Sequence, residues 1–204
     1  MSRFLEKIPY LGVIFSTSTF RQSTLTSVST LVSGILGALF YFLLARFLGS
    51  HEFGIFTVVT TTVALLYGIF DLGSDQGLVK FVPKYRDNKL KKEKIIKLIL
   101  KVKFIAGVSI FFLIYIFSRT ISDGVLQKPE LESFFPLIGL GVLTQLLFSF
   151  STSLSQALEK FFLWGGLFIS TNLTRLILII FLYSAGSLNS LSASLLYISL
   201  PFLG

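Results

Sequence analysis

Charged and amide side chains interrupt segments of this chain that are otherwise almost entirely apolar. Arg175 lies in the run FFLWGGLFISTNLTRLILIIFLY, one helical turn after Thr171 and close to Asn172. The guanidinium group stays charged and presents a fork of N–H donors that matches phosphate or carboxylate. Arg175, Asn172 and Thr171 are therefore candidates for binding an anionic group. An internal ion pair with Asp71 or Asp75, or a side chain that extends outward to water, explains the arginine equally well.

Two carboxylates occupy the segment DLGSDQG. Asp71 and Asp75 are four residues apart and share one face of a helix, beside glycines that indicate a bent or loosened helix end. Carboxylates within a membrane span carry protons or bind sodium in some transporters, so this pair is a candidate ion-coupling site. An ion pair with Lys80 or Lys84 is the simpler interpretation.

A polar stripe follows one face of another segment. Steps of four, three and four residues place its members on the same side of a helix: Gln145, Ser149, Thr152 and Gln156. Such a stripe should not face lipid. It either packs against another helix or lines a water-filled cavity that binds substrate, and the sequence leaves both open.

The composition indicates which elements position these side chains. Of the 204 residues, 53% are hydrophobic and 14% are charged, whereas a soluble domain carries about 25% charged residues. A globule of this size cannot hide so much apolar surface, so a lipid bilayer is the expected solvent. The absence of cysteine excludes a disulfide framework, a thiol nucleophile and a cysteine-based zinc site. No metal or other cofactor is expected.

Lipid offers no partners to backbone N–H and C=O groups, so the apolar segments are expected to be helices of about 20 residues. We predict an all-α integral membrane protein with a six-helix transmembrane bundle. Residues 1–22 are expected to be a cytoplasmic N-terminal segment, followed at 23–204 by a transmembrane lobe whose last helix is truncated. The spans are predicted at about residues 25–47, 54–82, 95–117, 134–156, 161–183 and 188–204.

The excess positive charge lies in one segment. Residues 80–103 carry ten basic and two acidic residues, a net charge of +8 that equals the net charge of the whole chain. Lysine and arginine are enriched in cytoplasmic loops, and the remaining loops agree with a cytoplasmic N-terminus. The segment is interpreted as a topology determinant that also contacts anionic lipid, and not as a nucleic-acid site. Lys94, Lys97, Lys101 and Lys103 are expected to extend to the membrane surface.

Small residues recur at every fourth position of the first predicted span. The two rows are Thr26, Thr30, Gly34 and Ala38, and Ser29, Ser33 and Gly37. Such rows let helix backbones approach closely within a membrane, so we expect helix packing here rather than ligand binding.

Motifs of the common catalytic classes are missing. The chain has no P-loop, no glycine-rich dinucleotide fingerprint, no HExxH motif and no loop long enough for a catalytic domain. These absences argue against an ATPase, a metalloprotease and most glycosyltransferases.

Residues 24–86 contain an AR-x-LG-x-x-x-FG turn, then a DLG motif and a basic loop. The residues of the two motifs are Ala45, Arg46, Leu48, Gly49, Phe53, Gly54, Asp71, Leu72 and Gly73. In these features the segment resembles the opening of polysaccharide-export flippases of the Wzx type. SQALEKF at 155–161 is similar to the turn between the family's fourth and fifth helices. The superfamily also contains the lipid II flippase and the multidrug and toxin extruders.

This resemblance implies two six-helix lobes around a cationic central cavity, with Arg175 as the candidate cation of this lobe and the C-terminal lobe missing. It implies transport of an undecaprenyl-pyrophosphate-linked oligosaccharide, for example an O-antigen unit of lipopolysaccharide, from the cytoplasmic to the outer leaflet. The expected location is a bacterial or archaeal inner membrane. The expected partners are membrane lipid, the lipid-linked oligosaccharide and polysaccharide polymerase or assembly proteins. The resemblance thus implies a transporter and not an enzyme. The alternatives are a drug or cation extruder of the same superfamily and a membrane enzyme of lipid-linked sugar assembly.

Overall fold

The computed structural model describes residues 18–120, 122 and 129–203. Its helices are α1 (Ser18–Phe70), α2 (Ser74–Lys84), α3 (Lys89–Thr120), α4 (Phe135–Ala157), α5 (Phe161–Ser184) and α6 (Ser190–Ser199), with 3₁₀ turns at Pro129–Phe134 and Leu200–Leu203. These ranges contain no strand, which confirms the predicted all-α fold. Most of the predicted N-terminal segment lies outside the described residues.

Four stretches are long and apolar enough to cross a membrane: Phe20–Phe70, Lys89–Thr120, Glu132–Ala157 and Phe161–Ser184. The fourth and fifth predicted spans agree with α4 and α5 to within one residue at each end. α3 begins six residues before its predicted span, because its first turns are lysine-rich and not apolar.

α1 folds back on itself at Gly49 and supplies two spans. Gly49 has φ 74° and ψ 176°, a conformation outside the helical range that glycine adopts without a Cβ clash. The ring centroids of Phe40 and Phe56 lie 6.3 Å apart. Sixteen residues of straight helix would separate them by about 24 Å. Residues 18–48, the first limb, and residues 50–70, the second limb, therefore form a hairpin.

The second predicted span is broken at residues 71–73. Leu72 and Gly73 have φ values of 52° and 71°, the left-handed region that a continuous right-handed helix excludes. The chain resumes its helical course as α2 at Ser74. The loosened helix end that the sequence predicts at the DLGSDQG segment is thus confirmed as a break.

α4 is the central helix of the bundle. Of the 18 most apolar consecutive residues of this stretch, 56% are buried, whereas the buried share is 17–22% in the other three long stretches. It contacts each of the other five helices. Val142 and Leu146 of α4 pack with Val63 of the second limb, Ile110 of α3 and Ile198 of α6 in one apolar cluster. The other helices surround α4 and leave large apolar surfaces for lipid.

Glycine allows α3 and α4 to approach each other closely. A Cβ atom added at Gly107 of α3 would lie 3.1 Å from the Leu143 Cα atom of α4. A Cβ atom added at Gly139 of α4 would lie 3.0 Å from the Phe111 Cα atom of α3. In both cases the obstacle is backbone, which a side-chain rotation cannot remove.

One of the two small-residue rows packs as predicted. Ser29 of the first limb contacts Gly165 of α5, and Ser33 Oγ accepts a 2.8 Å hydrogen bond from Asn172 Nδ2. The other row faces away from the bundle, since Thr30 and Gly34 are exposed.

We predict that Gly107→Ala destabilises the chain relative to Gly34→Ala. The added methyl group at position 107 meets Leu143 backbone, whereas position 34 has no atom within 4 Å. Overpacking of this kind costs about 1–3 kcal/mol. Thermal unfolding of the purified chain in detergent measures the difference, and equal midpoints for the two variants would contradict the α3–α4 contact.

Candidate functional site

Lys103 is completely buried in the bundle and is bound by two carboxylates. Its side chain has no exposed surface, and its Nζ lies 2.7 Å from both Asp71 Oδ1 and Asp75 Oδ1. The third Nζ donor reaches Ser149 Oγ at 2.6 Å. All three donors of the ammonium group are therefore satisfied. We call Lys103, Asp71 and Asp75 the Lys103 triad.

A second layer of hydroxyl groups supports the carboxylates. Tyr67 donates to Asp75 Oδ2 at 2.9 Å, and Ser74 Oγ donates to Asp71 Oδ1 at the same distance. Asp71 Oδ2 receives only a long 3.5 Å contact from the Asp75 backbone N–H. With both carboxylates ionised the triad has a net charge of −1, and Asp71 Oδ2 is its least satisfied oxygen.

Four elements build this centre. The break at 71–73 places Asp71 at the end of the second limb and Asp75 in the first turn of α2. α3 contributes Lys103, and α4 contributes Ser149. Lys103 and Asp71 each lie three residues from the middle of their predicted spans, about 4.5 Å along the helix axis. The triad therefore lies within the apolar part of the bundle, where an unpaired charge is costly.

Two predictions about these charges are wrong. Lys103 does not extend to the membrane surface, because Asp71 and Asp75 bind it inside the bundle. These carboxylates do not pair with Lys80 or Lys84, which are exposed near the other end of α2. The sequence contains one feature that could have identified this pair. Lys103 and Asp71 lie at the same distance from the middle of their predicted spans, whereas Lys80 and Lys84 lie much farther from it.

A second polar centre surrounds Arg175, which is 9% exposed. Its guanidinium carbon lies 3.8 Å from the centre of the Tyr197 ring, a close cation–π contact. Arg175 Nη2 donates to the Tyr197 carbonyl at 3.1 Å, and the hydroxyls of Tyr41 and Tyr197 are 3.3 Å apart. Arg175 Nε is buried without a hydrogen-bond partner in the part of the chain that the structure describes. We call Arg175, Tyr197 and Tyr41 the arginine–tyrosine cluster.

No carboxylate among the described residues lies within ion-pair distance of Arg175. The ion pair with Asp71 or Asp75 that the sequence left open does not form, because Lys103 occupies both carboxylates. The arginine does not extend outward to water either, since it is buried. Two of the three interpretations that the sequence allows are thus not found among the described residues, and the binding of an anion by Arg175 stays a prediction.

The other candidate residues are distributed between these centres and the helix surfaces. Thr171 is buried and donates to the carbonyl of Leu167 in its own helix. Asn172 is used in the contact with Ser33.

The stripe on α4 is likewise divided. Ser149 binds Lys103, and Thr152 is buried and donates to the Ser149 carbonyl. Gln145 is half-buried, and Gln156 is exposed at the helix end. The stripe is therefore mainly a packing face of the central helix.

The two centres lie on opposite sides of the middle of their helices. The exposed pair Arg86–Glu159 places the start of α5 at the same end of the bundle as the basic segment. Arg175 lies about 4 Å past the middle of α5 from that end, and Lys103 lies before the middle of α3. No group of three or more His, Asp or Glu residues suited to a metal ion occurs within the described ranges.

The fold and the two centres define a polytopic helical membrane protein that holds charged groups inside its bundle. The family model "Polysaccharide biosynthesis protein" matches residues 20–203. The chain therefore belongs to the polysaccharide biosynthesis protein family. No curated protein and no solved structure matches it. At the level of the family, this match supports the resemblance to polysaccharide-export proteins that the sequence shows.

We predict that Lys103→Met destabilises the chain strongly. Removing one partner of a buried ion pair leaves uncompensated buried charge and costs about 3–5 kcal/mol. The triple variant Asp71→Asn, Asp75→Asn, Lys103→Met removes all three charges and should recover most of this loss. Lys101→Met is the control, because Lys101 is exposed two residues away. Equal unfolding midpoints for the Lys101 and Lys103 variants would contradict the triad.

Proposed function

We propose that this chain acts in a flippase process, in which an undecaprenyl-pyrophosphate-linked oligosaccharide is moved from the cytoplasmic to the outer leaflet. The membrane is the inner membrane of a bacterium or archaeon, and the N-terminus lies in the cytoplasm. The protein binds and moves its substrate and catalyses no covalent step. Membership of the polysaccharide biosynthesis family and the helical membrane bundle support this proposal.

The observation that carries the proposal is a buried arginine that has no carboxylate partner among the described residues. Inserting a charged side chain near the middle of a membrane costs about 2.5–3.5 kcal/mol on insertion scales. If Arg175 served only to pack the helices, leucine at this position would avoid that cost. Nε and Nη2 lie on the same edge of the guanidinium and form a fork that suits a phosphate group. Among the described residues, Nε has no hydrogen-bond partner, and the partner of Nη2 is a backbone carbonyl that an anion would replace.

Energy coupling is assigned to the Lys103 triad. The triad has a net charge of −1 in a low-dielectric interior, and one additional proton would neutralise it. Among the carboxylate oxygens of the triad, Asp71 Oδ2 has the weakest hydrogen-bond partner. Asp71→Asn and Asp75→Asn should therefore reduce export without lowering the amount of protein in the membrane. The titratable groups that contact the carboxylates in the structure are Tyr67 and Lys103.

We predict that Arg175→Ala reduces polysaccharide export about tenfold or more, because a hydrogen-bonded charged contact to the anion is worth about 1.5–3 kcal/mol. Arg175→Lys should retain part of the activity, since a point charge replaces the fork. The measurement is surface polysaccharide in cells that depend on the full gene, normalised to the amount of protein in the membrane. Lipid-linked oligosaccharide should accumulate in the inner leaflet.

Arg86→Ala is the matched control for this experiment, because that arginine is exposed and makes one 3.7 Å ion pair. The variant Arg175→Leu distinguishes a helix-packing role of Arg175 from a substrate-binding role. If it raises the unfolding midpoint and leaves export unchanged, Arg175 does not bind substrate and the proposal is wrong.

The orientation is tested with single cysteines, since the chain has none. Arg86→Cys should react with a membrane-impermeant maleimide only in inverted vesicles, and Ser187→Cys only in intact cells. Both positions are exposed. The reverse pattern of labelling would overturn the cytoplasmic assignment of the N-terminus and with it the direction of transport.

A further inference from the structure

We propose that the exposed basic surface at the α2–α3 hairpin is a binding site for anionic phospholipid headgroups. We call this surface the basic face; its residues are Lys80, Lys84, Arg86, Lys89, Lys91, Lys92, Lys94, Lys97 and Lys101. Asp87 and Glu93 are the acidic residues within 80–101, so the segment has nine basic and two acidic residues and a net charge of +7. The proposal is independent of the transported substrate.

The structure separates these charges from the buried lysine. Lys103, the last basic residue of the segment, is neutralised inside the bundle by Asp71 and Asp75. Lys101, two residues earlier, is exposed. The boundary between internal and surface charge therefore falls between these two lysines, and the charge of the basic face is not used to hold the fold.

Within the part of the chain that the structure describes, no lysine of the basic face pairs with an acidic residue. The one ion pair of the basic face there is that of Arg86 with Glu159, at 3.7 Å and on exposed side chains. Lys84 and Lys91 lie near the ring of Tyr85, at 6.0 and 5.6 Å, which leaves their charge uncompensated. A dense set of unpaired cations attracts anions strongly when the anions are concentrated on a surface.

The geometry of α3 places these cations at the height of lipid headgroups. The helix has 32 residues, a length of about 48 Å, whereas the hydrocarbon core of a bilayer is about 30 Å thick. About 12 residues must therefore lie outside the hydrocarbon. The apolar sequence continues almost to the C-terminal end, so the excess falls at the N-terminal end, where six lysines lie within residues 89–101.

Exposed apolar side chains alternate with these lysines. Leu90 is 75% exposed, Leu98 is 62% exposed and Phe81 is 41% exposed. Lys94, Lys97 and Lys101 share a helical face because they are three and four residues apart. The phosphate backbone of a nucleic acid gives exposed leucines no apolar partner, whereas a bilayer interface accommodates both the apolar groups and the ammonium groups. The surface therefore fits a membrane of anionic phospholipid.

The test measures which lipid lies next to the basic face. Leu90→Cys gives the chain a single thiol for a fluorophore, and the labelled chain is reconstituted into vesicles of phosphatidylcholine and phosphatidylglycerol. Bromine is placed on one lipid or the other, and the quenching ratio gives the relative occupancy. We expect about a fivefold preference for phosphatidylglycerol in low salt. The preference should fall towards one in 1 M salt, where the Debye length is about 3 Å.

Two triple variants make the test specific. Replacing Lys94, Lys97 and Lys101 by glutamine should lower the preference below about twofold, whereas replacing them by arginine should preserve it. Cysteine labelling at position 86 checks that each variant keeps its orientation. No preference in the original chain, or an equal preference in the glutamine variant, would overturn the proposal. A preference that excess inorganic phosphate abolishes at constant ionic strength would instead assign the face to free phosphate and also overturn it.

Discussion

The interaction on which the rest of the structure depends is the double ion pair of Lys103 with Asp71 and Asp75. In a low-dielectric interior each of these charges is costly alone, and together with Ser149 and Tyr67 they satisfy most of their hydrogen-bonding capacity. The centre joins the end of the second limb, α2, α3 and α4. The break in the second span contributes to the same interaction, because it places Asp71 before the start of α2 and Asp75 in the first turn of α2.

The two polar centres have different chemical consequences. In the triad the cation is fully bonded, so its first effect is to hold four elements in register. In the arginine–tyrosine cluster the cation rests on an aromatic ring and a carbonyl, and Nε has no partner in the described structure. A centre whose cation is fully hydrogen-bonded within the protein suits a structural or proton-binding role. A centre with an unused hydrogen-bond donor suits the binding of an external anion. The proposed division of coupling and substrate binding follows from this difference.

The bilayer also explains the exterior of the molecule. α4 is buried by its neighbours, and the outer helices expose apolar side chains that only lipid can solvate. Close contacts at Gly107, Gly139 and Gly165 bring backbones together where apolar burial gives little driving force, since lipid is as apolar as the side chains. At the cytoplasmic end that we propose, the lysines of α3 leave the hydrocarbon and reach the headgroups.

The amino-acid sequence alone determined the all-α fold, the positions of the apolar segments and the break at the DLGSDQG segment. These features depend on local composition and on the conformational preferences of glycine, which are visible in a short window. It also identified Arg175, Asp71 and Asp75 as charges that need an explanation. Only the tertiary structure decided how they are used. The partner of the carboxylates is Lys103, 28 to 32 residues away along the chain, and Arg175 lies on Tyr197 of another helix. The choice among several lysines depends on depth in the membrane and on the rotation of each helix about its axis. Those quantities are set by how the helices pack around α4, and no local pattern of residues contains them.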